Sequence, residues 1–440
     1  MIKSLKILLT LALGASITTA CQNTTQSTTP STTKEAAKTD SVKPSVSNDP
    51  VELTFFSVNS IPDEEFELYA RSVKVKYPNI TLKWLKNSPE ITVPKLITAG
   101  QPPDLIVASL QHMPPNVLEY KMQLDLDEYI KKFNTDLSKI DPVFLNSMKQ
   151  ATKGKLYGLP INNGGGNVMF YNKSIFDRFG MPYPKDGMTW DDAYNLSKTL
   201  TKTDQGVQYV GAGMSHNFLL TYNSWSKPIV DSKTGKAAVN TADWNTLFQN
   251  FARFYQHPGI NKTSSTSADG NDEQVFLKEQ RMAMFTWGGY RYKGFPAELN
   301  WDMVSVPTLS EAPKTAPQGN PRYMFISNTT KNKDHAFQAL TALLSEDIQT
   351  QFSKSGIGSS LNNDSIKKAF GQDVPQLKGK NTGAIFYNPL AETVELNSVN
   401  INNALDGQFR KVMEGGKDVN TALRDAEEAI NKLLEEENKK

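Results

Sequence analysis

Val51-Glu52-Leu53-Thr54-Phe55-Phe56-Ser57-Val58 alternates and then turns apolar, the pattern of a strand buried in a sheet. Ser60-Ile61-Pro62-Asp63 follows and reads as a helix start, with Ser60 as N-cap, a proline in the first turn and an acid at capping-box spacing. Phe66, Tyr69, Ala70, Val73 and Tyr77 then share one helical face, and Pro78 stops the helix. Ile80, Leu82 and Trp84 alternate with Thr81 and Lys83 as a second strand. A helix is predicted over 93–99, ended by Gly100, and Asp104-Leu105-Ile106-Val107-Ala108 is a third strand. Strand, helix, strand, helix, strand defines an open α/β sheet.

The same texture runs outward to the end of the chain. Gly158 to Ile161 and Asn167 to Tyr171 read as extended, and Thr189 caps a helix from Trp190 to Leu200. Amphipathic helices are predicted over 244–255 and 334–344, and Leu423, Ala426, Ile430, Leu433 and Leu434 stripe the last one. No internal repeat is present. With 440 residues, the chain has room for two to three domains of about 150 residues each. Lys plus Arg is 48 against 46 Asp plus Glu, a balance that argues against a nucleic-acid binder and leaves room for a neutral partner. The charge runs Asp63-Glu64-Glu65 and Glu435-Glu436-Glu437 read as solvated. One Cys and four scattered His exclude an internal disulfide and a Cys- or His-rich metal cage. Neither a nucleotide-binding Gly-x-x-x-x-Gly-Lys-Ser/Thr loop nor a Gly-x-Ser-x-Gly elbow occurs. Two carboxylates suffice for a glycosidase, but any two of 46 acids fit that description. No catalytic residue and no cofactor is therefore expected.

The first twenty residues form an export signal: Lys3 and Lys6, an apolar core over 7–17, then Thr18, Thr19 and Ala20. The core is too short to span a bilayer comfortably. Cys21 follows directly, and Thr18-Thr19-Ala20-Cys21 resembles a bacterial lipobox, with Thr18 where that motif prefers Leu. The resemblance implies diacylation of Cys21, and two acyl chains hold a protein stably at a membrane where one does not. Residues 22–50 contain 12 Ser or Thr, two Val and no aromatic, too little apolar surface to offset ordering, so residues 21–50 read as a lipidated Cys plus a disordered tether.

Ligands of open α/β sheets bind beyond strand ends and between domains. Two stretches attract attention: 57–60 after the first strand, with Asn59, and Gln101-Pro102-Pro103-Asp104 at the start of the third. A neutral sugar needs an aromatic plane under its C–H face and fixed polar groups around its hydroxyls. Trp287 and Tyr290 flank Gly288-Gly289, after the apolar run Met282 to Phe285. Trp225 is a second platform or a structural Trp, and core roles stay open for Trp287 and Tyr290.

Several short blocks occur in a telling order: Pro103-Asp104-Leu105, Gly154 to Pro160, Tyr171-Asn172-Lys173, Thr189-Trp190-Asp191, Ala283-Met284 before Gly288-Gly289-Tyr290, and Trp301 to Pro307. Together they resemble the extracellular solute-binding proteins of carbohydrate ABC importers, the maltose-binding-protein-like class, over residues 51–440. The resemblance implies an α/β, two-lobed periplasmic-binding-protein-like fold (type II), with open sheets flanked by helices and a hinge between lobes. The N-lobe would comprise 51–162 and 307–355, the C-lobe 163–306 and 356–440. The crossings would lie near 161–167, 304–307 and 356–360. Asp104 would accept from sugar hydroxyls, Tyr290 would stack on the sugar, and Arg322 would belong to the segment re-entering the N-lobe. Asn162 and Asn163 would sit at the first crossing. The expected protein is a monomer at the extracytoplasmic face of the cell membrane, held there only by its lipid, binding a carbohydrate and serving permease subunits, without nucleic acid. The alternatives are a surface lipoprotein with a sensing or structural role and a secreted carbohydrate-active enzyme.

Overall fold

The computed structural model describes residues 46–163, 166–256, 268–394 and 397–437. The leader, Cys21 and the Ser/Thr-rich stretch through Ser45 lie outside the described residues, as do Gly164, Gly165 and His257.

Among the described residues, twelve strands form two five-stranded sheets and one small hairpin. The first sheet holds β1 (Val51–Ser57), β2 (Ile80–Leu85), β3 (Leu105–Ser109), β4 (Gly158–Asn163) and β12 (Pro321–Ile326), in the order β2-β1-β3-β12-β4. β1 runs parallel to β2 and β3, and β12 lies antiparallel to both β3 and β4. The second sheet holds β5 (Asn167–Asn172), β6 (Lys202–Asp204), β7 (Val207–Met214), β10 (Met282–Gly288) and β11 (Trp301–Ser305), in the order β11-β5-β10-β7-β6. β8 (Val230–Asp231) and β9 (Lys236–Ala237) make the hairpin.

Burial on both faces explains the apolar runs. In β3, Leu105 and Val107 join one core with Leu53, Phe55 and Phe337, while Ile106 and Ala108 join another with Phe56, Tyr323 and Phe325. In β5, Met169 and Tyr171 face the cluster around Trp244, while Val168 and Phe170 face the one around Phe285 and Trp301. The period of two thus sorts each strand between two helical layers.

Most predicted helices form. Trp190–Leu200 carries a complete capping box between Thr189 and Asp192. Asp63–Lys76 starts later than its sequence pattern suggests. Pro62, extended at ψ 154, occupies the N-cap position, and Ser60 does not cap. The last helix, Val419–Glu437, continues through the glutamates read as a solvated tail. Among the described residues, no helix is long and apolar enough to cross a membrane.

The chain leaves the first sheet at β4, enters the second at β5, and returns between β11 and β12. A further passage runs close by, where the Asn163 amide donates to the Gly358 carbonyl at 2.9 Å. The first two passages therefore join the same end of each sheet.

Close packing makes one glycine indispensable. A Cβ at Gly211 in β7 would stand 2.0 Å from the Ser197 carbonyl oxygen of the helix packed on it. Gly407, inside the helix Val399–Met413, has open space around it. Gly211→Ala is expected to lower stability by about 1–3 kcal/mol through overpacking. Gly407→Ala is expected to raise it by about 0.5–1 kcal/mol by restricting the unfolded chain. Denaturant unfolding of the two variants checks both signs.

Candidate functional site

Strand direction decides which residues meet. β1, β3 and β4 all point their carboxyl ends to one edge of the first sheet, and β12, running oppositely, begins there. Arg322 pairs in register with Ser109 on one side and Asn162 on the other. Asn59, Ser109, Asn162, Asn163, Asn320 and Arg322 consequently converge on a cavity of about 300 Å³. Gly356, Ile357 and Gly358 line it from the nearby passage, and Tyr290 and Lys293 close it from the turn of helix that follows β10.

Its floor is a chain of polar contacts. Arg322 Nη1 donates to Glu65 Oε1, and Tyr69 Oη donates to the same oxygen at 2.5 Å. Asn162 Nδ2 donates to Tyr69 Oη at 2.5 Å. Burial, reinforced by the Glu65 charge, pushes the Tyr69 phenol well above its ordinary range, so it remains a donor. With the phenol proton committed to Glu65, Asn162 presents its NH₂ to Tyr69. Its Oδ1, on a residue only 1% exposed, is left without a partner. Glu65 is 7% exposed. The solvated reading of Asp63-Glu64-Glu65 fails at this residue because Glu65 and Tyr69, four apart, share the inward face of the helix.

Above the floor, Asn59 Oδ1 accepts from the Ser109 amide at 3.1 Å and Asn59 Nδ2 lies 3.4 Å from His112 Nδ1. Ser109 Oγ lies 2.8 Å from the same ring nitrogen, and burial lowers the His112 pKa from its ordinary 6.5. Tyr290, 49% exposed, presents its ring to the cavity from the 3₁₀ helix Gly289–Gly294. A Cβ at Gly288 would come within 2.6 Å of that ring, so glycine is what lets Tyr290 lie there.

Three residues expected at the site are elsewhere. Asp104 precedes β3 and so lies at the opposite edge of the sheet from Ser109. Its carboxylate accepts from the Thr54 amide at 2.8 Å, Thr54 Oγ1 at 2.7 Å and Thr330 Oγ1. Trp287 packs edge-on to Phe285, and the Arg291 guanidinium covers its ring at 3.6 Å. Trp225 packs against the cluster around Trp244, under the Lys227 ammonium 4.4 Å from its ring. It precedes Ser226, which lines a larger hollow of about 710 Å³ with Gln150, Lys153 and Glu392. Neither the carboxyl ends of β1, β3 and β4 nor the start of β12 line that hollow. Ser109, Glu65, Tyr69, Lys293 and Asn320 were not singled out from the sequence.

Hydrogen bonds also span the two bodies, among them Ser147 Oγ to Thr393 Oγ1 at 2.5 Å. Tyr222 Oη, beyond the helix His216–Thr221 of the second body, donates to Gln111 Oε1 after β3 at 2.7 Å. Burial raises the Tyr222 phenol far above its usual range, which keeps it a donor. The helix is anchored by His216, whose Nδ1 lies 2.6 Å from Asp406 Oδ1, while Arg410 Nε donates to Asp406 Oδ2 at 2.7 Å. Among the described residues, no group of three His, Cys, Asp or Glu converges to hold a metal ion.

Two five-stranded sheets joined by crossing strands, with polar groups of both bodies around one cavity, define the two-lobed periplasmic-binding-protein-like fold (type II). The chain belongs to the bacterial extracellular solute-binding protein family, whose model matches residues 67–350. An uncharacterized ABC transporter extracellular-binding protein of Pyrococcus horikoshii is 26% identical over 265 residues, 56% of this chain and 57% of that protein. The match thus spans little more than half of that relative's length. An ABC substrate-binding protein of Listeria monocytogenes in complex with cycloalternan superposes with a TM-score of 0.69 at 19% identity, covering 88% of this chain and 99% of that one. The sugar-binding protein MalE of Xanthomonas citri does so with 0.69 at 15%, covering 88% and 98%.

The Asp406 cluster carries a pH signature. Burial pushes its carboxyl up, but His216 and Arg410 outweigh burial and hold it below its ordinary 3.8. A depressed carboxyl stabilises the fold above the unfolded-state value, and that stability disappears as pH falls through the folded-state value. Asp406→Asn should therefore unfold more easily at pH 7 and lose less stability than the parent on acidification below about pH 4. Thermal melts across that range measure the difference.

Proposed function

We propose that this protein is the lipid-anchored substrate-binding component of an ABC importer that captures a saccharide by lobe closure and hands it to the membrane permease. The observation that carries this reading is the cavity at the meeting edges of the two sheets, where amides, hydroxyls and the exposed Tyr290 ring face one another. Such a set suits a polyhydroxylated guest: the ring takes the C–H face and the amides take the rim. Family membership and the sugar-binding names of the superposable structures support it. Asn59, Asn162, Asn163, Tyr290 and Arg322 are the proposed contacts. The lobes are 51–162 with 307–355 and 163–306 with 356–440, and the passages between the sheets act as the hinge. Ligand touching both lobes gains contacts only when they close, so its differential affinity shifts the equilibrium toward the closed form.

The body acts without chemistry on its guest. Glu65 is the only carboxylate among the described residues lining the cavity, and its Oε1 is held by Tyr69 and Arg322. Glycoside hydrolysis ordinarily requires a pair of carboxyl groups. The exported chain is tethered through acylated Cys21 on the extracytoplasmic face, works as a monomer, and binds no nucleic acid, in keeping with its balanced charge.

Isothermal titration of a saccharide panel is expected to find at least one ligand, with no reducing sugar released on incubation. Tyr290→Ala should weaken that ligand about tenfold through lost stacking. No heat with any saccharide, together with a hit on a peptide or amino acid, would discard the carbohydrate assignment.

A further inference from the structure

The charge left over in the cavity narrows the ligand class, on the premise that the cavity holds a saccharide. Three described lining residues are of charged type: Glu65, Lys293 and Arg322. Glu65 and Arg322 neutralise each other on the floor. Arg322 has no second acidic partner among the described residues, so its remaining N–H groups are not committed to another carboxylate. Lys293 is exposed, and no described acid pairs with it. The cavity therefore carries one unmatched positive charge, and its only carboxylate is matched.

Placement makes that charge usable. Tyr290 and Lys293 stand three apart in the 3₁₀ helix Gly289–Gly294, and side chains at that spacing eclipse in a 3₁₀ helix. The stacking ring and the ammonium thus share one face, and both line the cavity. A pyranose lying on Tyr290 would turn one edge toward Lys293. A neutral sugar gains only a hydroxyl contact there, whereas an anionic substituent gains a charge-assisted bond in a walled site that focuses the field.

We infer that the guest is an anionic saccharide, its carboxylate or sulfate group set against Lys293 and the free edge of Arg322 while its ring lies on Tyr290.

Calorimetric titration of the full chain tests this with three probes of equal length: an oligogalacturonide, a sulfated galactan oligosaccharide and a neutral galacto-oligosaccharide. One anionic probe is expected to bind at least about tenfold tighter than the neutral one. That ratio should fall when salt rises from about 0.05 to about 0.5 M, as screening demands. Which anionic probe binds separates a uronate from a sulfate ester. Lys293→Gln should bring the ratio toward one, and Lys293→Glu should reverse it. Lys293 is exposed, so neither variant removes a core contact, and an unchanged melting temperature verifies the fold. Neutral binding equal to or tighter than anionic binding overturns the charge assignment and leaves the saccharide reading standing. A ratio unmoved by both Lys293 variants also overturns the assignment. Failure of all three probes and of a wider saccharide panel overturns both.

Discussion

A single buried carboxylate organises the cleft. Glu65 comes from the first helix, Tyr69 from one turn later, Asn162 from the end of β4 and Arg322 from the start of β12, so segments far apart in sequence meet at one oxygen-centred knot. Removing one partner of a buried pair leaves an uncompensated charge worth about 3–5 kcal/mol. The helix, the first crossing and the returning strand must therefore keep their mutual register for the knot to exist. The in-register pairing of Arg322 with Ser109 and Asn162 does that. The knot also fixes which way the Asn162 amide faces.

Much of the fold was legible because burial on both faces writes apolar runs into the strands. Val51–Ser57 and Leu105–Ser109 announce themselves by composition, and Thr189 with Asp192 announces a helix start. The site was less legible, and Asp104 shows why. Sequence places a residue at the start of a strand, but only strand direction says which edge that start occupies. In a parallel pair, the end of β1 and the start of β3 lie at opposite edges, so Asn59 and Asp104 could not both face the cleft. The start of β12 does face it, because that strand runs the other way. Glu65 was hidden for a different reason: within Asp63-Glu64-Glu65, only helical phase relative to Tyr69 separates the inward acid from its outward neighbours.

Aromatics teach the same lesson. Trp287 and Tyr290 are separated by two glycines, yet Trp287 belongs to a strand whose alternation sends it beside Phe285, and Tyr290 to the short helix that follows. Proximity in sequence did not make them a pair of platforms. Beyond the floor, the bodies meet through several neutral hydrogen bonds, among them Tyr222 to Gln111, Ser147 to Thr393 and Gln318 to the Asn223 carbonyl, each of about 1 kcal/mol net.

The central claim is that two hinged bodies move relative to each other when the cavity fills. Val75 and Val207 are exposed, one on the first helix and one on β7. Spin labels on Val75→Cys and Val207→Cys, in a Cys21→Ser background, report the distance between the bodies by double electron–electron resonance. The account predicts a broad distribution without ligand that narrows and shifts when a binding saccharide is added. A distribution unmoved by a saccharide that calorimetry shows to bind would contradict it.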